Sequence, residues 1–289
     1  MPRLLLRALA VASLIAWAGS AVAQDFDNLI LRYGWREGDT LSYRLQAYLG
    51  TPRGHSFIID NAHIRLTELT IGVVVRCTVA APRWDAQPMD CAIDSAELAG
   101  VAPTDPPDEV HRVLMHYDAL LEGGMVQLEW TSSGRIRMLD LEGVSKDTPR
   151  RARVHEHLRQ LLLRLFSLLE IEMPPDGLVG PEGWRQRGDP IALRVPSRNG
   201  SMSGAKLDHR VVGVSGDVVE IASSGDGALR QGSVGPLMDT RLEGQARFDM
   251  DQGLLLYNTQ EFHAELINTT ATQRLYLWQV GEAALIEEP

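Results

Sequence analysis

The sequence predicts an α+β chain that is mostly β: curved antiparallel sheets, open or forming a half-barrel and internally duplicated, with two amphipathic helices packed on the concave face. Three observations carry this. Runs with apolar residues at alternate positions occupy most of the chain after its first residues. A strand-entry phrase occurs twice, as GDTLSYRL at 38–45 and GDPIALRV at 188–195. Two stretches, about 107–122 and 149–169, place apolar residues at helical spacing instead.

The first residues read as an address rather than as part of the fold. Arg3 and Arg7 precede an apolar stretch from Ala8 to Ala18, and Ala21-Val22-Ala23 has the small-x-small form accepted by signal peptidase. The stretch is shorter than the roughly 20 residues a membrane span needs, and no later segment supplies one. Residues 1–23 are therefore expected to be a cleaved secretory signal, with no cysteine at the junction to carry a lipid anchor. Without Arg3 and Arg7 the remaining chain has 26 basic and 38 acidic residues, a net charge of −12, which argues against nucleic acid as a partner. It divides into a first β-rich half, 24–146, and a second, 147–289, that opens with the stronger helix; the two are expected to form one continuous domain.

In the first phrase Gly38-Asp39 makes a turn, after which Leu41, Tyr43 and Leu45 point to one face and Arg44 to the other. The runs SFIIDNAHIRL, IGVVVRCTV and CAIDSAEL follow as further strands. Cys77 and Cys91, the two cysteines, lie on strand faces with Val75 and Val79 and with Ile93. Neighbouring strands would bring the sulfurs together, and an even count at short spacing in an exported chain predicts a disulfide. The helix of 107–122 carries Val110, Val113, Leu114, Tyr117, Leu120 and Leu121 and stops at Gly123-Gly124. A hairpin around Gly134 follows. The second helix opens with Asp147-Thr148-Pro149, a cap and a first-turn proline. Its stripe is Val154, Leu158, Leu161, Leu162, Leu165, Leu168 and Leu169, of which Leu158, Leu161, Leu162, Leu165 and Leu169 are the candidate packing face. Beyond Pro174-Pro175 come the second strand-entry phrase, with Ile191, Leu193 and Val195 on one face, the strands KLDHRVVGV and VVEIASS, and a hairpin around Gly253. The order of parts repeats, hence the expected duplication of a β-sheet unit.

No motif assigns chemistry. His155-Glu156-His157 looks metal-like, but residues two apart on a helix diverge by about 200° and cannot share an ion; the three are expected to be solvated. Asp249-Met250-Asp251 starts like a calcium loop, yet Gln260 stands where a bidentate glutamate belongs. GSMSG at 200–204 lacks the spacing of a nucleophile elbow and reads as a loop. Phosphate-loop and dinucleotide fingerprints are absent, so no catalytic residue, cofactor or metal is assigned. Trp35, Trp84, Trp130, Trp184 and Trp278 suit core or rim packing, or the lining of a groove.

Taken together, the leader, the Gly-Asp strand entries, the hairpins and the central helix ending in LEIEMPPDGLVGPEGW resemble a family of uncharacterised secreted β-rich proteins of Gram-negative bacteria. More distantly, the layout is similar to the periplasmic lipoprotein-carrier fold, a half-barrel with helices in its concavity. That likeness implies a fold and carries no activity. The expectation for function is a non-enzymatic exported protein, periplasmic or extracellular, with an apolar cleft for a lipid or lipidated partner. The alternative is a structural or protein-interaction component of the envelope whose sheet is plugged by its own helices. A hydrolase without a recognisable motif ranks below both.

Overall fold

The computed structural model describes residues 29–59, 62–186, 202–230, 237–266 and 276–286. In chain order they form β1 (Leu29–Ile30), β2 (Thr40–Ile59), β3 (Ala62–Val79), β4 (Ala86–Val101), α1 (Pro107–Leu121), β5 (Met125–Thr131), β6 (Ile136–Glu142) and α2 (Pro149–Phe166), which tightens into a 3-10 turn over Ser167–Leu169. Then come β7 (Leu178–Val179), β8 (Trp184–Arg185), β9 (Met202–Ser215), β10 (Val218–Arg230), β11 (Leu237–Asp249), β12 (Leu254–Leu266) and β13 (Tyr276–Ile286). β1 and β7 pair with each other; the remaining strands make one antiparallel sheet in the order β6-β5-β4-β3-β2-β13-β12-β11-β10-β9-β8. This sheet curves without closing into a barrel, as the sequence predicts.

The alternation read from the first phrase sets the two faces. Leu41, Tyr43, Leu45, Ala47 and Leu49 are buried on the inner face, whereas Arg44 and Gln46 of the same strand are exposed. Opposite them on β3, Val73, Val75, Cys77 and Val79 continue the inner face. SFIIDNAHIRL reads as a single run, yet the chain reverses inside it: β2 ends at Ile59 and β3 begins at Ala62. The turn formers Asp60-Asn61 stand between the two strands, and a reading by periodicity alone passes over them. GSMSG differs likewise, because Met202 to Gly204 already belong to β9.

Two meanders, β2 to β6 and β9 to β13, therefore share one sheet, joined where β2 pairs with β13 from Ser42↔Ile286 to Gly50↔Trp278. The second strand-entry phrase, Gly188 to Val195, lies outside the described residues, and the facing of Ile191 with it. Of its neighbourhood, Trp184 and Arg185 pair with His209 and Asp208 at the sheet edge.

Both helices lie on the inner face. Thr148 caps α2, its Oγ1 accepting from the Arg151 amide at 3.2 Å, with Pro149 in the first turn. Leu158, Leu162 and Leu165 are 0% exposed, Leu169 1% and Leu161 4%, so the candidate packing face is wholly interior, at about 1.5 to 3 kcal/mol of transfer free energy for each leucine. α1 adds Val113, Tyr117 and Leu121 to the same core.

His155 departs from the expectation of solvation. It is 4% exposed, and its Nε2 donates to the Leu141 carbonyl at 2.8 Å. One turn on, Arg159 Nη1 donates to the Leu139 carbonyl at 3.4 Å. The two side chains thus occupy carbonyls on the open edge of β6, where a further strand would otherwise pair. A second closure lies at the base of the sheet. There Tyr33 stacks on Trp35 with ring centroids 4.3 Å apart and meets Phe248 and Trp130 edge-on at 5.4 and 6.0 Å, while Gly34 and Gly253 touch backbone to backbone through a 3.0 Å hydrogen bond. A Cβ on Gly34 would stand 2.4 Å from the Gln252 carbonyl oxygen, so the approach requires glycine.

Candidate functional site: the inner face of the half-barrel

Strand register sorts the inner face into rows that cross the sheet. One row runs Leu207, Gly225, Leu242, Phe262, Gln279, Leu49 from β9 to β2. The next runs His209, Ser223, Gly244, Gln260, Gly281, Ala47. From Ala47 and Leu49 outward through β3 to β6 the surface is apolar and covered by α1 and α2. On the β9 to β13 side the rows differ: the first is apolar except at Gln279, the second polar or glycine.

The polar row serves partly to hold α2. Leu168 rests on Gly281, where a Cβ would stand 2.5 Å from a leucine methyl. Beside it Asn258 Nδ2 donates to the Leu168 carbonyl at 2.5 Å and Gln260 Nε2 to the Ser167 carbonyl at 3.4 Å. These sheet amides satisfy carbonyls that a helix end leaves without a partner. Farther along, His209 Nδ1 is 2.8 Å from Ser223 Oγ and its Nε2 3.2 Å from Gln186 Oε1. The ring stacks on Trp184 at 5.0 Å, and the Trp184 Nε1 donates to the Glu172 carbonyl at 2.7 Å. Burial pushes the imidazole down to about 4, so it is neutral at pH 7. Serine and histidine here have the spacing of a nucleophile and its base. However, His209 is 2% exposed and both residues sit opposite each other inside a ladder, away from any helix N-terminus that could stabilise an oxyanion. The pair is a cross-strand contact of the interior.

Leu207, Leu242, Phe262 and Ala264 are buried at 3%, 6%, 8% and 1% exposure, yet stand apart from the core that the helices complete. They form a second apolar group on the inner face. Two polar groups of α2 stand apart from its leucine stripe. His157 has its Nε2 buried with no hydrogen-bond partner, and its ring meets Phe57 at 4.8 Å and Tyr117 at 6.0 Å. Burial, and then the Arg164 guanidinium, push its imidazole down to about 4. Arg164 is half-buried, its pKa lowered by desolvation, and among the described residues its guanidinium has no hydrogen-bond or ion-pair partner.

Two cavities open beside the His209 end of the polar row. One of about 580 Å³ lies at the sheet edge, lined by Glu182, Trp184, Arg185, Asp208, His209 and Ser223 among others, and the Arg185 guanidinium grips Asp208 at 2.6 and 3.1 Å. Its neighbour, of about 220 Å³, is lined by Glu172, Met173, Pro174, Pro175, Trp184 and Arg185. Among the described residues no cluster of His, Cys, Asp or Glu is arranged to hold a metal ion, and no helix is long and apolar enough to cross a membrane.

The cysteines meet on the inner face, with Cys77 and Cys91 directly opposite in β3 and β4 and the sulfurs 2.05 Å apart. Arg164 was not among the sequence candidates. Its signal was present, since it stands three residues after Leu161 and four before Leu168, both members of the stripe. Compared with known proteins, the chain matches no family model and no curated relative.

Proposed function

We propose that the protein is an exported, non-enzymatic carrier in which α2 fills the concavity of β2 to β6 as a fixed plug, while the inner face of β9 to β12 receives an apolar ligand, either a lipid or the lipid of a lipidated partner. The observation that carries this reading is the second apolar group, Leu207, Leu242, Phe262 and Ala264, which lies outside the helix-completed core. Export is supported by the signal-like residues 1–23 and by the Cys77–Cys91 disulfide. The test is binding of a long-chain fatty acid that carries a fluorophore at its methyl end. Wild type should bind it, and Leu242→Asp, which sets a carboxylate in the apolar row, should lose binding while retaining its far-ultraviolet circular dichroism. Absence of binding to wild type would refute the carrier reading. A second reading, a structural or interaction component of the envelope, is favoured by the complete burial of the α2 leucines and by the Asn258 and Gln260 anchors.

A further inference from the structure

We infer that the hairpin tip between β3 and β4 docks on a phospholipid surface, with the Trp84 indole set among the head groups and the Arg83 guanidinium on a lipid phosphate. This contact goes beyond the carrier reading and does not rest on it. Trp84 is 104% exposed, against 58% for Ile30, the next of the large apolar side chains exposed among the described residues. The indole therefore touches almost nothing of its own fold, and it is the side chain best suited to a layer where apolar matter meets water.

The backbone beneath it is strained. Arg83 and Ala86 exchange two backbone hydrogen bonds, of 2.8 and 2.9 Å, which leaves Trp84 and Asp85 as a two-residue turn. Trp84 has φ +57°, and every other described residue with positive φ is a glycine. A hairpin turn with positive φ at its first central position takes glycine there, and a bulky side chain in that region is an outlier. Folding alone thus favours glycine at 84, whereas the indole adds no contact to the fold. Strain held at an exposed tip points to a role outside the fold.

The tip is also held in place. Gln87 Nε2 donates to the Ala80 carbonyl across the two arms, and Asp85 accepts from both Nη groups of Arg137 on β6, one of them at 2.7 Å. The Cys77–Cys91 bond joins the same strands seven residues to either side of Trp84. An indole presented in this way loses little freedom on docking. Size and charge select the surface. The exposed tip, residues 81–85, is too narrow for a protein interface, which takes about 20 to 30 residues a side, whereas a head-group layer admits a single side chain. Residues 80–88 hold one acid, Asp85, which Arg137 neutralises. Arg83 is then the charge that the tip presents, and a phosphate diester matches its parallel N–H donors.

The experiment sediments the exported, disulfide-bonded protein with sucrose-loaded vesicles of phosphatidylcholine and a minority of phosphatidylglycerol, at millimolar lipid. Wild type should partition onto the vesicles, and phosphatidylcholine brominated near its head group should quench part of the tryptophan fluorescence. Trp84→Gly should lower the partition coefficient about tenfold or more, remove the quenching, and melt no lower than wild type because the strained turn is relieved. Arg83→Gln should weaken partition about fivefold, the worth of one basic residue at such a surface. Absence of partition by wild type, or partition and quenching that survive in Trp84→Gly, overturns the proposal. A lowered melting temperature of Trp84→Gly also overturns it, since the indole would then be packed within the fold.

Discussion

Truncating Leu162 to alanine tests whether α2 is a permanent part of the core. Its side chain is 0% exposed, in the middle of a stripe whose neighbours Leu158, Leu165 and Phe166 are also 0% exposed, so the space left behind has little freedom to collapse. A buried leucine replaced by alanine in such a setting costs about 2 to 5 kcal/mol. Against a total stability of about 5 to 15 kcal/mol, the variant should still fold. At roughly 2 to 4 °C per kcal/mol for a chain of this size class, a 3 kcal/mol loss lowers the melting temperature by about 6 to 12 °C. Urea unfolding followed by circular dichroism should show the midpoint move with the slope unchanged, since the helix unfolds together with the sheet. Arg153→Ala, on the exposed side of the same helix, should shift stability by less than about 0.5 kcal/mol. If Leu162→Ala costs less than about 1 kcal/mol, or a separate early transition appears, the helix lifts away as a lid and its description as a plug is wrong.

Four further outcomes follow from particular contacts. Denatured, unreduced protein should contain no titratable thiol, and removing the Cys77–Cys91 bond, sequence separation 14, should cost roughly 3 kcal/mol on the chain-entropy estimate; two free thiols before reduction contradict the pairing. Gly134→Ala should destabilise by about 1 to 3 kcal/mol, because Gly134 has φ +89° and a Cβ there would meet the Tyr33 ring and the Ile171 carbonyl; an unchanged melting temperature would speak against that contact. His157 and His209 are held by burial at about 4 against an ordinary 6.5, so below pH 6.5 the unfolded chain binds more protons and stability is lost as pH falls toward 4. Asp118, pushed up to about 6 chiefly by burial, gains stability over the same interval and softens that loss. Urea midpoints at pH 7 and 5 should fall for wild type and fall less for His209→Gln; a rise for wild type contradicts the assignment. Finally, protein recovered from the periplasm of a Gram-negative host should begin at Gln24 by mass spectrometry, and an intact Met1 would exclude signal cleavage after Ala23.

The parts of the fold visible in the sequence are those where local period and burial coincide. Leu41, Tyr43 and Leu45 alternate because one side of β2 meets the helices and the other meets water, and the leucines of α2 recur at helical spacing for the same reason. The facing of Cys77 and Cys91 was readable from their strand neighbours. Neither the reversal between Ile59 and Ala62 nor the burial of His155 could be read in this way. The first carries the turn formers Asp60-Asn61, but without a glycine beside them a reading by period passes over them inside a run of β-formers. The second depends on a long-range fact, that β6 is an edge strand whose carbonyls lie beside α2. Arg164 was hidden for a related reason: arginine on a leucine-rich helix reads as solvated, and only the burial of Leu161, Leu162, Leu163 and Leu165 around it shows how closely the last turns of α2 are packed.

The pairing of β2 with β13 constrains the order of assembly. Every other neighbouring pair in the two meanders joins strands close in sequence, whereas this one brings Ser42 opposite Ile286 and Gly50 opposite Trp278. Each meander can zip up from its own hairpins, but the inner face stays split down the middle until the last described strand arrives. Because non-local pairings form slowly, a chain emerging residue by residue holds two half-finished wings with apolar inner surfaces until β13 is available. Such a topology closes in one late step, after both meanders have formed. Shortening the chain within 276–286 should therefore separate the wings from each other, leaving hairpins that aggregate rather than a smaller half-barrel.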